Sequence, residues 1–162
     1  MIFAFYRGTS TVSKLIRFFT RGIYSHVAVQ VEDGRIFEAW HSPAKVRVIH
    51  DFGEGHERGT RVDLFELALP FPEKALAHLE RSVGRRYDFK GVLGFLTKRT
   101  SDDRRACFCS ELATEVSIIG GRPALDRVKP FKVSPTMLSM SPLLEYRGSL
   151  TTKKYDQKKK ES

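Results

Sequence analysis

Residues 108–116, FCSELATEV, carry the strongest structural signal in the chain. They place Cys109 directly before an amphipathic helical pattern. The unpaired backbone N–H groups and the dipole at the start of a helix favour a thiolate, which is the reactive form of cysteine. The pattern therefore predicts a helix that begins at Cys109 and makes this residue a candidate nucleophile.

A second signal, a strand-like run that contains a histidine, lies about eighty residues before Cys109. Residues 24–31, YSHVAVQV, alternate valine with other side chains and place His26 near the start of the run. Such alternation is typical of a half-buried strand. Residues 32–40, EDGRIFEAW, then supply a turn and a second strand. The two runs together predict a hairpin.

The length of the turn decides which side chains share a face of this hairpin. A two-residue turn at residues 33–34 sets Val29 opposite Glu38 and mixes apolar and charged side chains on each face. A three-residue loop over residues 32–34, with its glycine left-handed, pairs Val29 with Phe37 instead. The valine face is then uniformly apolar, so the sequence favours the three-residue loop.

In the favoured register His26 pairs with Trp40, and Glu38 becomes a diagonal neighbour of His26. Such neighbours lie about 7–8 Å apart at the backbone, so their side chains can meet. Cys109, His26 and Glu38 form a chemically complete set of nucleophile, general base and orienting carboxylate. The two-residue turn would align His41 with His26, which makes His41 the rival base.

The order of these motifs resembles that of the circularly permuted NlpC-type papain-like cysteine hydrolases. This group includes YiiX/YaeF-like amidases and, more distantly, lecithin:retinol acyltransferase-like proteins. In ordinary members the cysteine helix precedes the histidine strand, whereas in the permuted group a Ser-His strand comes first and a Cys-Ser-Glu helix comes late, as here. The matching segments, between residues 5 and 140, are a helix over residues 10–21, YSHV at 24–27, DG at 33–34, FEA at 37–39, GRRYDF at 84–89 and CSEL at 109–112.

The resemblance implies an α+β fold of the papain-like NlpC type in circularly permuted order, with an antiparallel sheet packed against helices. It implies that Cys109 is the nucleophile, His26 the base and Glu38 the third member. The bond cleaved would be an amide, peptide or acyl bond, through a thioester intermediate, and peptidoglycan peptides are candidate substrates. Tyr87 would lie near the oxyanion or substrate side, although its residue type equally suits a partly buried aromatic whose hydroxyl caps a backbone group.

Each site residue also has a structural interpretation. Free cysteine is among the most buried residue types, a strand histidine can bond at a sheet surface, and Glu38 can be an exposed carboxylate. Cys107 and Cys109 form a C-x-C without a second cysteine pair, which is poor zinc spacing, so we expect no metal and no cofactor. Structural roles are also expected for the remaining histidines, which are His50, His56 and His78.

Two other functions stay open. An acyltransferase or lipid acyl hydrolase would share the thioester but differ in its acyl group or acceptor. A non-enzymatic binding module of a phage or a cell envelope would keep the scaffold with an unreactive Cys109.

Composition sets the frame for these expectations. With 162 residues and 41% apolar side chains, the chain predicts one catalytic domain over residues 1–148, followed by a basic, disordered tail over residues 149–162. The net charge of +9 suits anionic cell-wall or lipid material. No nucleic-acid recognition motif is present, so we expect no specific nucleic-acid partner. The sequence does not predict the oligomeric state.

The remaining expectations concern location and local structure. No apolar run reaches the length of a membrane span, and Arg7 interrupts the first apolar run too early for a signal peptide. We therefore expect synthesis in the cytoplasm, from which a phage or carrier could deliver the protein elsewhere. The expected elements are a strand over residues 2–6, a helix capped by Ser10 and closed by Gly22 whose apolar side covers the hairpin, strands over residues 46–49 and 60–67, a helix from Pro72 to Gly84, a polar loop over residues 97–105 and irregular structure after Pro123.

Overall fold

The computed structural model describes residues 1–42, 44–88 and 106–153. Within these residues the chain forms eight strands and four α-helices. The strands are β1 Ile2–Arg7, β2 His26–Gln30, β3 Ile36–Trp40, β4 Lys45–Ile49, β5 Arg61–Glu66, β6 Arg86–Tyr87, β7 Ala106–Cys107 and β8 Glu145–Thr151. The helices are α1 Thr11–Thr20, α2 Pro72–Ser82, α3 Cys109–Ile119 and α4 Pro135–Ser139, with a 3₁₀ turn at Pro130–Lys132. None of the helices in the described residues is long and apolar enough to cross a membrane.

All eight strands belong to one sheet, in the order β7-β6-β4-β3-β2-β1-β5-β8. The α+β class is therefore confirmed. Neighbouring strands run antiparallel, as expected, except that β6 and β7 are parallel and pair Tyr87 with Cys107. Because only Phe108 lies between the end of β7 and the start of α3 at Cys109, this parallel pair brings Tyr87 beside the start of α3.

The β2–β3 hairpin adopts the three-residue loop that the valine pattern predicts. Val29 pairs with Phe37 and Gln30 with Ile36. The loop closes through a 3.0 Å hydrogen bond from the Val31 N–H to the Arg35 carbonyl. Gly34 has a φ of +87°, a left-handed value that glycine adopts without steric cost. The predicted register is confirmed.

The sheet buries apolar side chains on both faces. On one face, α3 packs against β2 and β3, and Val27, Val29 and Leu112 join the main core. On the other face, a smaller cluster contains Ala28 and Ile36. Alternation along β2 and β3 places the side chains of His26 and Glu38 on this second face, together with Tyr6 of β1.

Helix α1 begins as predicted but faces the other way. The Ser10 side chain accepts a 3.1 Å hydrogen bond from the Ser13 N–H, which confirms the N-cap. The helix ends at Thr20, and Arg21, rather than Gly22, is the left-handed residue that closes it. The expectation that the apolar side of α1 covers the hairpin is wrong in its packing, because Phe18 is largely exposed and Leu15 and Phe19 are separated from the hairpin by a cavity.

The region after Pro123 is more regular than expected. Ser134 caps α4 through the N–H of Met137, and β8 pairs antiparallel with β5. The sequence missed β8 because most of its side chains are exposed and no apolar alternation marks it. This strand runs past the predicted boundary at residue 148 to Thr151. The predicted loop at residues 97–105 and residues 154–162 of the predicted tail lie outside the described residues.

Candidate active site

His26 and Glu38 meet as the hairpin register predicts. The Nε2 atom of His26 lies 2.7 Å from Oε2 of Glu38, and both side chains are buried. An ionised carboxylate can only accept hydrogen bonds, so Nε2 of His26 carries the hydrogen. The other ring nitrogen, Nδ1, is therefore the one that can act as a base on the neutral ring.

Arg47 fixes the second oxygen of the same carboxylate. Glu38 and Arg47 pair across β3 and β4, and the Nε and Nη2 atoms of Arg47 donate hydrogen bonds of 2.8 and 2.6 Å to Oε1. Burial opposes ionisation of Glu38. The hydrogen bonds from His26 and His56, with the electrostatic attraction of these side chains, outweigh burial and hold the pKa of Glu38 well below its usual value.

His56 is a member of the cluster that the sequence did not predict. Its Nε2 atom donates to the same oxygen of Glu38 as His26 does, at 3.0 Å. The His56 ring stacks on Tyr6 with centroids 4.1 Å apart, and it lies 4.3 Å from the ring of Trp40. His56 belongs to the loop between β4 and β5, where no periodic pattern reveals which side chains turn inward. His56 was expected to have a structural role only, but its side chain contacts the candidate site directly.

The surroundings of His26 favour the neutral ring. Burial lowers the pKa of His26, the Glu38 contact raises it, and the charges of His56 and Arg47 lower it further. The net shift is downward. A neutral imidazole with its hydrogen on Nε2 is the form that can accept a proton at neutral pH.

Cys109 begins α3, as predicted, and lies next to the start of β2. Its sulfur receives backbone N–H groups from Val27 and Ser110, which favour the thiolate. Burial acts in the opposite direction and dominates, and the charge of Glu38 adds to it. Together they raise the pKa of the Cys109 thiol to about 11. The expectation of a thiolate stabilised by the helix start is therefore wrong for the resting protein, because the loss of hydration outweighs the dipole.

The structure brings His26 and Glu38 into contact but does not bond Cys109 to either of them. Cys109 packs in the main core with Val27, whereas His26 points to the second face from the adjacent position in β2. Across residues 1–42, 44–88 and 106–153, no hydrogen bond joins Cys109 to His26. The Cys109 thiol and the His26 imidazole therefore both lie near the start of β2, without a direct hydrogen bond between them.

Tyr87 lies near both cysteines. Burial raises the pKa of Tyr87, and the proximity of Cys109 and Cys107 raises it further. Cys107 is fully buried, and burial raises the pKa of its thiol to about 12. These surroundings give Cys107 the character of a core residue and place Tyr87 between the core and the site.

A cavity of about 650 Å³ opens beside the histidines. His26, Trp40 and Tyr87 line one side of it, and Ile16 and Phe19 of α1 line another. Aromatic and aliphatic side chains around a small number of polar groups are typical of a ligand site. A molecule bound in this cavity would therefore contact the histidine cluster.

The same cluster has ligand atoms suited to a metal ion. The donor atoms of His26, Glu38 and His56 lie within 4.8 Å of one another, and two imidazoles with a carboxylate can bind zinc. Arg47, however, already neutralises Glu38 through two hydrogen bonds. A divalent cation would be held against this guanidinium, so the charges present favour the hydrogen-bonded network.

The other histidines lie outside this network. His41 is the rival base. Its ring lies 4.5 Å from the ring of Trp40, measured between centroids, and it lines the cavity. The observed register does not align His41 with His26. Burial lowers the pKa of His41. His78 bonds Glu115 at 3.0 Å and joins α2 to α3, which agrees with a structural role.

The chain was also compared with known proteins. No protein-family model and no curated protein matches it.

Proposed function

We propose that this protein is a cysteine hydrolase of amide or peptide bonds, built on a papain-like NlpC-type fold in circularly permuted order. The observation that carries the proposal is the 2.7 Å contact between His26 and Glu38 through Nε2, which leaves Nδ1 as the basic nitrogen of the ring. Cys109 at that helix start supplies the nucleophile. The resemblance of the motif order to the permuted hydrolases supports the same assignment.

The reaction follows from these groups. His26 Nδ1 takes the thiol proton of Cys109 as the sulfur attacks the carbonyl carbon, and the carbonyl oxygen becomes an oxyanion. The imidazolium then gives its proton to the leaving nitrogen, the C–N bond breaks and a thioester forms. His26 next takes a proton from water, whose oxygen attacks the thioester, and the thiolate leaves and recovers the proton.

Glu38 supports this cycle by stabilising the imidazolium and holding the ring. Because the pKa of Cys109 is raised to about 11, the thiol is protonated at rest and must lose its proton during the attack itself. Backbone N–H groups at the start of α3 are candidates to bind the oxyanion. Tyr87, which lines the cavity, is a candidate on the substrate side.

An acyltransferase or lipid acyl hydrolase is the second candidate. The cavity favours it, because Leu15, Ile16 and Phe19 give one wall an apolar surface that suits an acyl chain. Both enzymes share the thioester step, and a product assay separates them. Release of a free acid indicates hydrolysis, and transfer to an added amine or alcohol indicates an acyltransferase.

The proposal is tested by the alkylation rate of Cys109 as a function of pH, in a Cys107→Ala background so that one thiol reports. We expect a histidine-dependent rate that falls roughly 10²-fold in His26→Ala. His41→Ala is the matched control and should keep the rate. Equal rates in His26→Ala and in the background protein, with both folded by circular dichroism, would favour the non-enzymatic binding module.

A further inference from the structure

Helix α1 turns its apolar side outward. Leu15, Phe18 and Phe19 are 50%, 76% and 44% exposed, and Ile23, just beyond the helix, is 52% exposed. At 100° per residue, the three helical side chains fall within an arc of about 100°. The opposite side carries smaller polar residues, and Ser13 packs there against Gly8. A continuous apolar stripe is thus left in solvent.

The charges on this segment all have one sign. Residues 10–23 contain Lys14, Arg17 and Arg21 and no acidic residue. Lys14 and Arg17 lie on the side of the helix next to Phe18, where Lys14 is exposed and Arg17 is half-buried, and Arg21 is exposed directly after the helix. The whole chain carries a net charge of +9. Basic side chains beside an apolar stripe are the pattern of a helix that lies in the interface of an anionic bilayer.

We propose that α1 is a docking surface for anionic lipid membranes. Leu15, Phe18, Phe19 and Ile23 enter the boundary between headgroups and acyl chains, and the exposed Lys14 and Arg21 lie at the level of the lipid phosphates. The arrangement makes α1 a surface anchor, since a helix of ten residues is too short to span a bilayer. This inference does not depend on the proposed hydrolase activity.

Docking would also orient the candidate site. Leu15 and Phe19 line the cavity that contains His26. A bilayer that contacts the outer side of α1 therefore lies close to the entrance of this cavity. The surface and the site share two side chains, so a molecule held in the membrane would have a short path to the histidine cluster.

The experiment is cosedimentation of the full-length protein with vesicles. One set contains equal parts of phosphatidylcholine and phosphatidylglycerol, and the other contains phosphatidylcholine alone. We expect binding to the anionic vesicles that weakens with salt. The double variant Leu15→Ser with Phe18→Ser should lower the partition coefficient roughly tenfold or more. Ile118→Ser is the matched control, because Ile118 is 41% exposed and lies at the C-terminal end of α3, outside residues 10–23.

The charged side chains are tested by Lys14→Gln with Arg21→Gln, which should remove the preference for anionic vesicles. Four outcomes would overturn the proposal. The wild type could fail to bind the anionic vesicles, or bind both vesicle types equally. The apolar double variant could bind as the wild type does, which would assign binding to other basic residues. Light scattering could instead show a dimer that Phe18→Ser dissociates, which would make a second copy the occupant of this surface.

Discussion

His26 and Glu38 are joined through one ring nitrogen, Nε2 to Oε2 at 2.7 Å, and this bond determines which nitrogen of His26 is basic. The carboxylate keeps the hydrogen on Nε2, so a proton taken up by the ring must enter at Nδ1. Replacement of the carboxylate therefore tests both the tautomer and the support of the imidazolium.

Glu38→Gln should slow histidine-dependent alkylation of Cys109 by roughly 10²–10⁴-fold, because a neutral amide no longer stabilises the imidazolium. The free energy of unfolding should fall by about 3–5 kcal/mol, since Arg47 loses its buried partner. Adding Arg47→Gln should restore part of the stability without restoring the rate. Glu80→Gln, which removes an exposed carboxylate of α2, is the control for both measurements. Recovery of the rate together with stability would assign Glu38 a purely structural role.

His56→Gln should raise the pKa of His26, because the neighbouring His56 charge lowers it. Glu38 raises the pKa of His26 and Arg47 lowers it, and both remain in this variant. We expect the titration of the His26 ring, followed by NMR, to move to higher pH. The acid limb of the alkylation profile should move to higher pH by the same amount. His41→Gln should leave both unchanged, and an unchanged titration in His56→Gln would remove His56 from the network.

Asp63→Asn should lower the free energy of unfolding at neutral pH. The Asp63 carboxylate is buried and accepts hydrogen bonds from Tyr24 at 2.8 Å, from Arg7 and Arg61 at 2.9 Å each, and from Ser149. Burial alone would raise the pKa of Asp63, but these bonds lower it to about 2. The stabilisation is complete above the unfolded pKa of about 4 and is lost as pH falls to about 2.

We expect a loss of about 1–2 kcal/mol for Asp63→Asn after solvent screening. Urea titrations at a series of pH values would show the gap between wild type and variant closing in acid. Asp33→Asn, at an exposed ion pair with Arg35, is the control. A gap that stays constant down to pH values near 2 would contradict the ionised Asp63.

Glu111→Gln should stabilise the protein above neutral pH. Burial raises the pKa of Glu111 to about 7, and the charge of Glu115 adds to this effect. A raised carboxyl pKa contributes stability that is complete below the unfolded pKa of about 4 and is lost as pH rises through about 7. Glutamine removes this dependence and can still accept the hydrogen bond from the Phe108 N–H. We expect a gain of about 1 kcal/mol at alkaline pH after solvent screening.

Glu115→Gln is the opposite test on the same helix. Burial opposes ionisation of Glu115, but the hydrogen bond from His78 and the charge of Arg85 lower its pKa overall. Its replacement should therefore destabilise the protein at neutral pH. Thermal unfolding across the neutral range would compare the two variants, and a change of the same sign in both would contradict the opposite pKa shifts.

The hairpin and its site residues were open to prediction because short-range rules govern them. Alternating valines and the three-residue loop set the register, and the register alone brings Glu38 to His26. The same alternation rule, applied to β4, would also have predicted the pairing of Arg47 with Glu38. His56 reaches the site through a loop held by tertiary contacts, among them the bond of Thr9 to Glu57. No local pattern encodes such contacts.

Helix α1 and strand β8 show two other limits. An amphipathic pattern states that one side of a helix is apolar, but it does not state which side meets the protein. In α1 the polar side packs against the chain at Gly8, and the apolar side lies between the cavity and solvent. β8 satisfies its backbone by pairing with β5 at the end of the sheet, while most of its side chains stay in solvent. Its sequence therefore carries no apolar alternation to read.

The raised pKa of Cys109 also affects how readily this thiol is oxidised. Peroxides oxidise the thiolate, and a thiol with a pKa of about 11 is almost entirely protonated at neutral pH. Burial of the sulfur further restricts the approach of an oxidant. Cys109 should therefore resist conversion to sulfenic acid in the resting protein, and in the proposed reaction it would become vulnerable only when His26 accepts its proton.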